Sequence, residues 1–260
     1  MRNLKESFTT NAINIKTYPL SDYDNVVVMF SREYGLIKGI ARGVKRPKSK
    51  LGARMQTLVA NKLMLKGGRT FDTICEAQAL NTFNKLRQDL DKLAYSLYLS
   101  ELINSFCQDG DEDSENNAQI YDLFYCALEG LANCENKTQI FLNVIKFQLQ
   151  FMTQIGYGVE FEHCLKCSCK INEEAYFSIS NCGVVCAECR SQNQGYTKLH
   201  RKIREFLQAQ NKCKIDEKSS YDLLVDENFC EKCFLFLKKY INSLSSRPAR
   251  AINVLEKLNA

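Results

Sequence analysis

The amino-acid sequence predicts a multidomain α+β protein in which a small β-barrel is followed by an all-helical domain. Three observations predict this fold class. Short apolar runs separated by turn residues fill the first part of the chain, apolar residues change to helical spacing near Asn84, and two cysteine pairs interrupt the helical part. A chain of 260 residues is long enough to bury real cores in two or three modules.

The N-terminal part of the chain predicts about five short strands. They differ in pattern, since the first alternates loosely and the second is a short buried run, and Gly67 and Gly68 supply a hairpin turn before the last. Five strands with one basic flank favour an OB-fold, although an SH3-like barrel needs much the same pattern. The candidate strands are residues 8–18, 26–30, 35–44, 59–66 and 71–76.

From Asn84 onward the apolar residues recur at helical spacing, beginning with Leu86, Leu90 and Leu93. A stretch rich in acidic residues at 108–117 predicts a solvated loop between helices. The predicted helices lie at residues 84–106, 118–131 and 138–155, and two more begin near Leu199 and Phe229.

Four cysteines form two C-x2-C pairs with 18 residues between the pairs, Cys164 with Cys167 and Cys186 with Cys189. Two cysteines three positions apart on a tight turn can reach one ion, and a second such pair completes a tetrahedral shell of thiolates. This spacing predicts one Zn²⁺ per chain. The site is expected to be structural, because four protein ligands leave no open position for water.

Other cysteines leave alternatives open. Cys169 and Cys182 lie beside the two pairs, and either could substitute for one of the four ligands. Cys230 and Cys233 fall within a helical pattern, which favours core packing over a second metal or redox motif.

The net charge changes sign near the boundary between the predicted strands and the predicted helices. Residues 1–80 hold 14 Lys and Arg against six Asp and Glu, a net charge of +8, whereas the remainder holds 21 against 24, a net charge of −3. The predicted domains are an OB-fold domain at 1–80, the first part of a helical domain at 81–160, a zinc-binding insert at 161–195 and the second part of the helical domain at 196–260.

The segment from 34 to 71 holds ten Lys or Arg residues and no Asp or Glu. Such a density of positive charge without negative charge suits a segment that lies against nucleic acid, because each cation placed on a phosphate releases condensed counterions. Basic runs also serve membranes and acidic partners, but Val44 and Leu51 woven through the run argue against a merely solvated loop. The residues predicted to contact nucleic acid are Arg32, Lys38, Arg42, Lys45, Arg46, Lys48, Lys50 and Arg54.

Nothing in the sequence indicates an enzyme. The two histidines, His163 and His200, do not form a nucleophile or metal-protease arrangement, and nuclease-like carboxylate clusters are absent from the N-terminal module. No apolar run approaches membrane-spanning length, and the N-terminus lacks the apolar segment of a signal peptide. We expect a cytoplasmic binding protein with no membrane partner.

Two strings resemble a known family. FSREYGLIKGIARGVKRPKSKLGARMQTL, at 30–58, resembles the N-terminal signature of the RecO DNA-repair family, with Lys45 at the first position of its basic pair. FQLQFMTQIGYGVEFEHCLKC, at 147–167, resembles the helix of that family that ends in a Gly-Tyr turn before the first zinc knuckle. The chain departs from the family at Cys182-Gly183, where a Gly-Gly pair is usual.

This resemblance implies a non-enzymatic recombination mediator. Such a protein binds single- and double-stranded DNA without sequence preference, anneals strands covered by single-strand-binding protein, and with RecR helps to load RecA, which makes RecA an indirect partner. The resemblance also implies a bacterial, nucleoid-associated location and contact of the helical region with the C-terminal tail of single-strand-binding protein. Either the basic helix start formed by Lys198, Arg201, Lys202 and Arg204 binds that tail, or these residues form a solvated face.

Two other classes of function are compatible with the sequence. A zinc-containing RNA- or ribosome-associated module could also combine basic loops with zinc knuckles, because the sequence shows no preference for either sugar. A nuclease or another DNA-processing enzyme that uses zinc catalytically would need an open coordination position.

Overall fold

The computed structural model describes residues 6–109, 113–190, 195–245 and 249–252. The chain forms two compact units. We call residues 1–133 together with 249–260 the first unit, and residues 134–248 the second unit. None of the helices among the described residues is both long and apolar enough to cross a membrane.

The first unit begins with a closed five-stranded barrel, whose strands follow one another around the barrel in the order β1, β2, β3, β5, β4. β3 and β5 pair in parallel, and the other neighbouring strands pair antiparallel. The prediction of an N-terminal sheet region of five strands is confirmed. The strands are β1 (Ser7–Pro19), β2 (Asn25–Ser31), β3 (Gly35–Ala41), β4 (Ala60–Lys66) and β5 (Asp72–Asn81).

Apolar side chains from every strand fill the barrel. Val27, Met29, Ile37 and Leu63 are buried in one cluster that excludes water from its centre. Gly39 lies where β3 meets β5, and a Cβ atom at this position would lie 2.7 Å from Cγ1 of Ile74. A glycine is therefore needed there for the close approach that completes the barrel.

Two helices follow the barrel in the first unit, α1 (Leu90–Phe106) and α2 (Ser114–Asn133). The residues before α1, Asn84–Gln88, form a 3-10 helix instead of the α-helix predicted from Asn84. Asp89 ends that segment in an extended conformation, and its side chain accepts a hydrogen bond from the backbone of Lys92, which caps α1. The predicted loop at 108–117 is shorter than expected because α2 begins at Ser114, and 110–112 lie outside the described residues.

The described residues of the second unit form three helices and a small sheet. The three strands form an antiparallel sheet in the order β7, β6, β8, and the sequence had not predicted them. Phe147 and Phe151 stack on one another, and Phe141 packs against Phe234, so these buried aromatic side chains form part of the core of the second unit. The elements are α3 (Lys137–Gln154), β6 (Ala175–Ser178), β7 (Gly183–Val185), β8 (Tyr196–Leu199), α4 (Arg201–Lys212) and α5 (Glu227–Leu244).

A buried ion pair holds the segment between α4 and α5 against α3. Nζ of Lys146 lies 3.1 Å from Oδ2 of Asp222, and the two side chains are only 6% and 11% exposed. The second carboxylate oxygen of Asp222 accepts a hydrogen bond from Gln210 at 2.8 Å, and Lys146 also donates to the carbonyl of Glu217. This network satisfies two charges that would otherwise be costly to bury.

We expect Asp222→Asn to destabilise the second unit by about 3–5 kcal/mol, because it leaves the Lys146 ammonium buried without its counter-charge. Denaturant unfolding followed by circular dichroism measures this loss. Asp216→Asn is the matched control, since Asp216 is exposed on the same segment. A loss of the same size in both variants would show that the buried pair has no special role.

Candidate nucleic-acid and metal sites

The connection between β3 and β4, residues 42–59, presents a group of cations to solvent, and we call it the basic loop. The sequence places no carboxylate side chain in it. Five of the eight predicted DNA-contact residues are exposed in this loop, so the fold brings them together on one segment of the barrel. They are Arg42, Lys45, Arg46, Lys48 and Lys50.

Apolar side chains of the basic loop fix its cations on the outside. Val44, Met55 and Leu58 are buried, and Val44 and Met55 belong to the barrel core. The amide of Asn14 on β1 donates to the backbone carbonyls of Arg54 and Gln56 at 2.7 and 2.8 Å. The loop is therefore an ordered part of the barrel surface, and this explains why apolar residues alternate with its cations.

The start of the basic loop is attached to the turn between β1 and β2, residues 20–24. Gly43 adopts a φ of +63°, which glycine accommodates without strain, and its N–H donates to Oδ1 of Asp24 at 2.7 Å. The N–H of Lys45 donates to the carbonyl of Tyr23 at 3.1 Å, and Nζ of Lys45 donates to the carbonyl of Ser21 at 2.8 Å. These bonds place the turn and the loop side by side.

The other three predicted DNA-contact residues are engaged by groups of the protein itself. Arg32 forms a bidentate pair with Asp122 of α2 at 3.1 and 2.8 Å, and this hydrogen bonding raises the pKa of Arg32. Lys38 pairs with Asp109, and Arg54 donates to the carbonyl of Lys50. Each of the three is only partly exposed, whereas the five residues of the basic loop are exposed, Lys45 among them although its Nζ donates to the carbonyl of Ser21.

Tyr23 belongs to this surface, and the sequence had not indicated it. The Arg46 guanidinium lies over the Tyr23 ring, 5.1 Å from its centroid. Tyr23, Arg46, Pro47 and Lys48 line a shallow, open groove. Tyr23 precedes the basic run by many residues, and the only sequence signal was an aromatic side chain between the two aspartates of a polar turn.

The four predicted metal ligands converge in the second unit. The Sγ atoms of Cys164, Cys167, Cys186 and Cys189 all lie within 4.8 Å of one another. Tetrahedral coordination of Zn²⁺ with bonds of about 2.3 Å separates sulfur atoms by about 3.8 Å, so four thiolates at this spacing fit one zinc ion. Because all four positions would be filled by protein, the arrangement suits a structural ion.

Backbone amides support the first cysteine of the cluster. The N–H groups of Lys166 and Cys186 donate to Sγ of Cys164 at 3.5 and 3.4 Å. Burial raises the pKa of the Cys164 thiol, but hydrogen bonds from the backbone outweigh burial and lower that pKa to about 6. A lowered pKa favours the thiolate, which is the form that binds metal.

The two spare cysteines lie outside the group of four. Sγ of Cys169 lies 3.3 Å from Sγ of Cys167, beside the cluster, but the group of four does not include it. Cys182 adopts a φ of +53°, and its thiol lies 3.9 Å from the carbonyl of Ile179. This left-handed conformation explains why a glycine would suit position 182, where the chain departs from the resembled pattern.

Two other groups of residues named from the sequence are engaged within the second unit. Lys198 pairs with Glu174, Arg201 pairs with Glu205, and Arg204 is buried and donates to the carbonyl of Phe161. Lys198 lies on β8 and not on a helix, so the start of α4 does not present an open row of these four cations. Cys230 and Cys233 are fully buried on α5, where the helical pattern had favoured core packing.

Two family models cover nearly all of the chain. The model described as "Recombination protein O N terminal" matches residues 1–83, and the model described as "Recombination protein O C terminal" matches residues 87–251. The boundary between the two matches falls between the barrel and α1.

Proteins named DNA repair protein RecO are similar to this chain over nearly its whole length. The chain is 27% identical to DNA repair protein RecO of Clostridium novyi, over 96% of this chain and 94% of the relative. It is 28% identical to DNA repair protein RecO of Gloeobacter violaceus, with 96% and 93% covered, and 28% identical to that of Clostridium perfringens, with 95% and 96% covered. From these matches, the chain belongs to the RecO family of DNA repair proteins.

Proposed function

We propose that this protein is a DNA-binding recombination mediator that anneals complementary single strands in recombinational repair. The observation that carries the proposal is the basic loop, where five exposed cations stand on an ordered segment whose own residues include no carboxylate side chain. The barrel supports this proposal, since its five strands and the parallel pairing of β3 with β5 suit an OB-fold, an architecture that binds oligonucleotides.

Annealing by this protein would rest on binding to phosphates. Cations that neutralise phosphates lower the repulsion between two strands, and because phosphates are the same in every sequence, such contacts carry no sequence preference. Nucleotide hydrolysis is not required, so we propose that the protein acts without enzymatic activity. We propose that one zinc ion, held by Cys164, Cys167, Cys186 and Cys189, stabilises the second unit.

The proposed partners follow from membership of the RecO family. We propose that the protein acts in the bacterial cytoplasm at the nucleoid, on single- and double-stranded DNA. With RecR it would promote the loading of RecA onto DNA coated by single-strand-binding protein, whose C-terminal tail it would contact through helices.

Strand annealing of complementary DNA coated beforehand with single-strand-binding protein tests the proposal. We expect the purified chain to accelerate annealing without ATP. Competition between single-stranded DNA and RNA of equal length is the second arm, and preference for RNA would favour a ribosome-associated role instead. Failure to anneal in the first arm, or annealing that depends on ATP hydrolysis by the chain, would contradict the proposal.

The pair between Arg32 and Asp122 gives a prediction about the edge of the DNA-binding surface. Asp122→Asn removes the negative charge that pairs with Arg32 and keeps the size of the side chain at position 122. Arg32 then becomes available to a phosphate. Both side chains are exposed, at 42% and 55%, and exposed pairs are weak, so we expect DNA affinity to rise by only about two- to fivefold. The slope of log affinity against log salt should steepen by about one.

Fluorescence anisotropy with labelled DNA, repeated over a range of salt concentrations, measures both quantities. Asp216→Asn changes the net charge equally at an exposed position of the second unit and serves as the control. An equal gain from the two substitutions would mean that only net charge matters and that Arg32 is not released.

A further inference from the structure

The turn between β1 and β2 presents an aromatic ring beside the cations of the basic loop. Tyr23 is 54% exposed. Exposure of a single large ring is common, and what distinguishes Tyr23 is its place beside the basic loop. Arg46 covers the ring at 5.1 Å, and Pro47 and Lys48 complete the groove around it. Isolated exposed tyrosines need no explanation, but a ring that lies beside the cations of the basic loop does.

The backbone that carries the ring is held by hydrogen bonds before any ligand binds. The carbonyl of Tyr23 accepts from the N–H of Lys45 at 3.1 Å, and the next residue, Asp24, accepts from the N–H of Gly43 at 2.7 Å. Within the turn, the N–H of Leu20 donates to the carbonyl of Asp24 at 2.9 Å. A ligand therefore meets a ring whose backbone is already ordered, which reduces the entropy lost on binding.

The chemistry of the groove selects the kind of ligand. Arg46 and Lys48 attract an anionic backbone, while the tyrosine and the guanidinium both offer flat surfaces on which an unpaired base can stack. A duplex offers phosphates to the same cations, but its bases are already stacked on one another and are not available to the ring. The groove should therefore distinguish single strands from duplexes.

We propose that Tyr23 is a base-stacking residue that gives the basic loop its affinity for single-stranded over double-stranded DNA. A base of the single strand stacks on the layer formed by Tyr23 and Arg46, while Lys48 and neighbouring cations hold the phosphates on either side. This inference rests on the proposed function, because it assigns one residue of the DNA-binding surface to recognition of unpaired bases.

Binding of Tyr23→Ala to an oligothymidylate and to a duplex of equal length tests the role of the ring. We expect the affinity for the single strand to fall by about 5- to 150-fold, as for loss of one stacked base, while the affinity for the duplex changes by less than about twofold. Tyr23→Phe keeps the ring and should bind as the parent does. Tyr157→Ala removes an exposed tyrosine of the second unit and should leave both affinities unchanged.

A second variant reports stacking directly. The chain contains no tryptophan, so Tyr23→Trp introduces a single indole at the proposed site. Its fluorescence should be quenched when the oligothymidylate binds and should change little when the duplex binds. This signal separates stacking from a structural role, because a misfolded turn would not give quenching that depends on unpaired bases.

The outcomes separate the two proposals. If Tyr23→Ala weakens single-strand and duplex binding equally, or weakens neither, the stacking role is overturned while DNA binding by the basic loop stands. If Tyr23→Trp binds the single strand with no change in fluorescence, the stacking role is overturned as well. If the parent protein binds neither DNA, the proposed function itself fails and this inference with it.

Discussion

Reversing the charge of Arg42, Lys45, Arg46 and Lys48 to Glu is expected to reduce DNA affinity by at least about 100-fold near physiological salt. All four side chains are exposed on the basic loop, and their substitution leaves the buried anchors Val44 and Met55 in place. The barrel should therefore keep its fold. The loss should be similar for different DNA sequences, since contacts to phosphates carry no base information.

The salt dependence distinguishes lost phosphate contacts from a damaged fold. For single-stranded DNA, the slope of log affinity against log salt should become shallower by about three, because four contacts each release about 0.7 counterions. Reversal of four exposed lysines in the second unit, Lys214, Lys218, Lys232 and Lys239, is the matched control, and it should leave most of the affinity. Equal losses from both sets would contradict a localised DNA-binding surface, and an unchanged slope would contradict phosphate contacts by the basic loop.

Replacing Cys164 or Cys189 by Ser is expected to remove about one zinc ion per chain and to lower the melting temperature of the second unit by at least about 10 °C. The four thiols lie within 4.8 Å of one another, and the segments that carry them separate α3 from α4. Structural zinc contributes its binding energy to folding, about 10–16 kcal/mol in small zinc peptides at neutral pH. Loss of one ligand should therefore cost far more than an ordinary surface substitution.

Elemental analysis combined with thermal unfolding measures both effects. Cys230→Ser should keep its zinc, because Cys230 is buried on α5 outside the cluster, and Cys75→Ser in the barrel should change neither zinc content nor melting temperature. Cys169→Ser and Cys182→Ser should also keep the metal. Full zinc retention in Cys164→Ser and Cys189→Ser, or zinc loss in Cys169→Ser, would show that the metal uses a different set of cysteines.

Local periodicity made much of the fold predictable. A strand or helix with one buried face repeats its apolar residues at a characteristic spacing. This spacing predicted the five barrel strands and the long helices α1, α2, α3 and α5. The short strands β6, β7 and β8 were missed because three or four residues carry too little periodicity, and their pairing depends on partners distant in sequence. The four clustered cysteines were predictable because each pair is a local turn.

For the proposed DNA-binding surface, the sequence by itself determined which segment carries the positive charge, since Lys and Arg residues can be counted along the chain. Only the tertiary structure decided which cations are open to solvent. Arg32 is paired with Asp122, 90 residues away, and Tyr23 lies beside Arg46 because backbone hydrogen bonds join two separate loops. Such contacts depend on the three-dimensional fold, which brings together residues that are distant in sequence. Neither the composition nor the local spacing of residues predicts them.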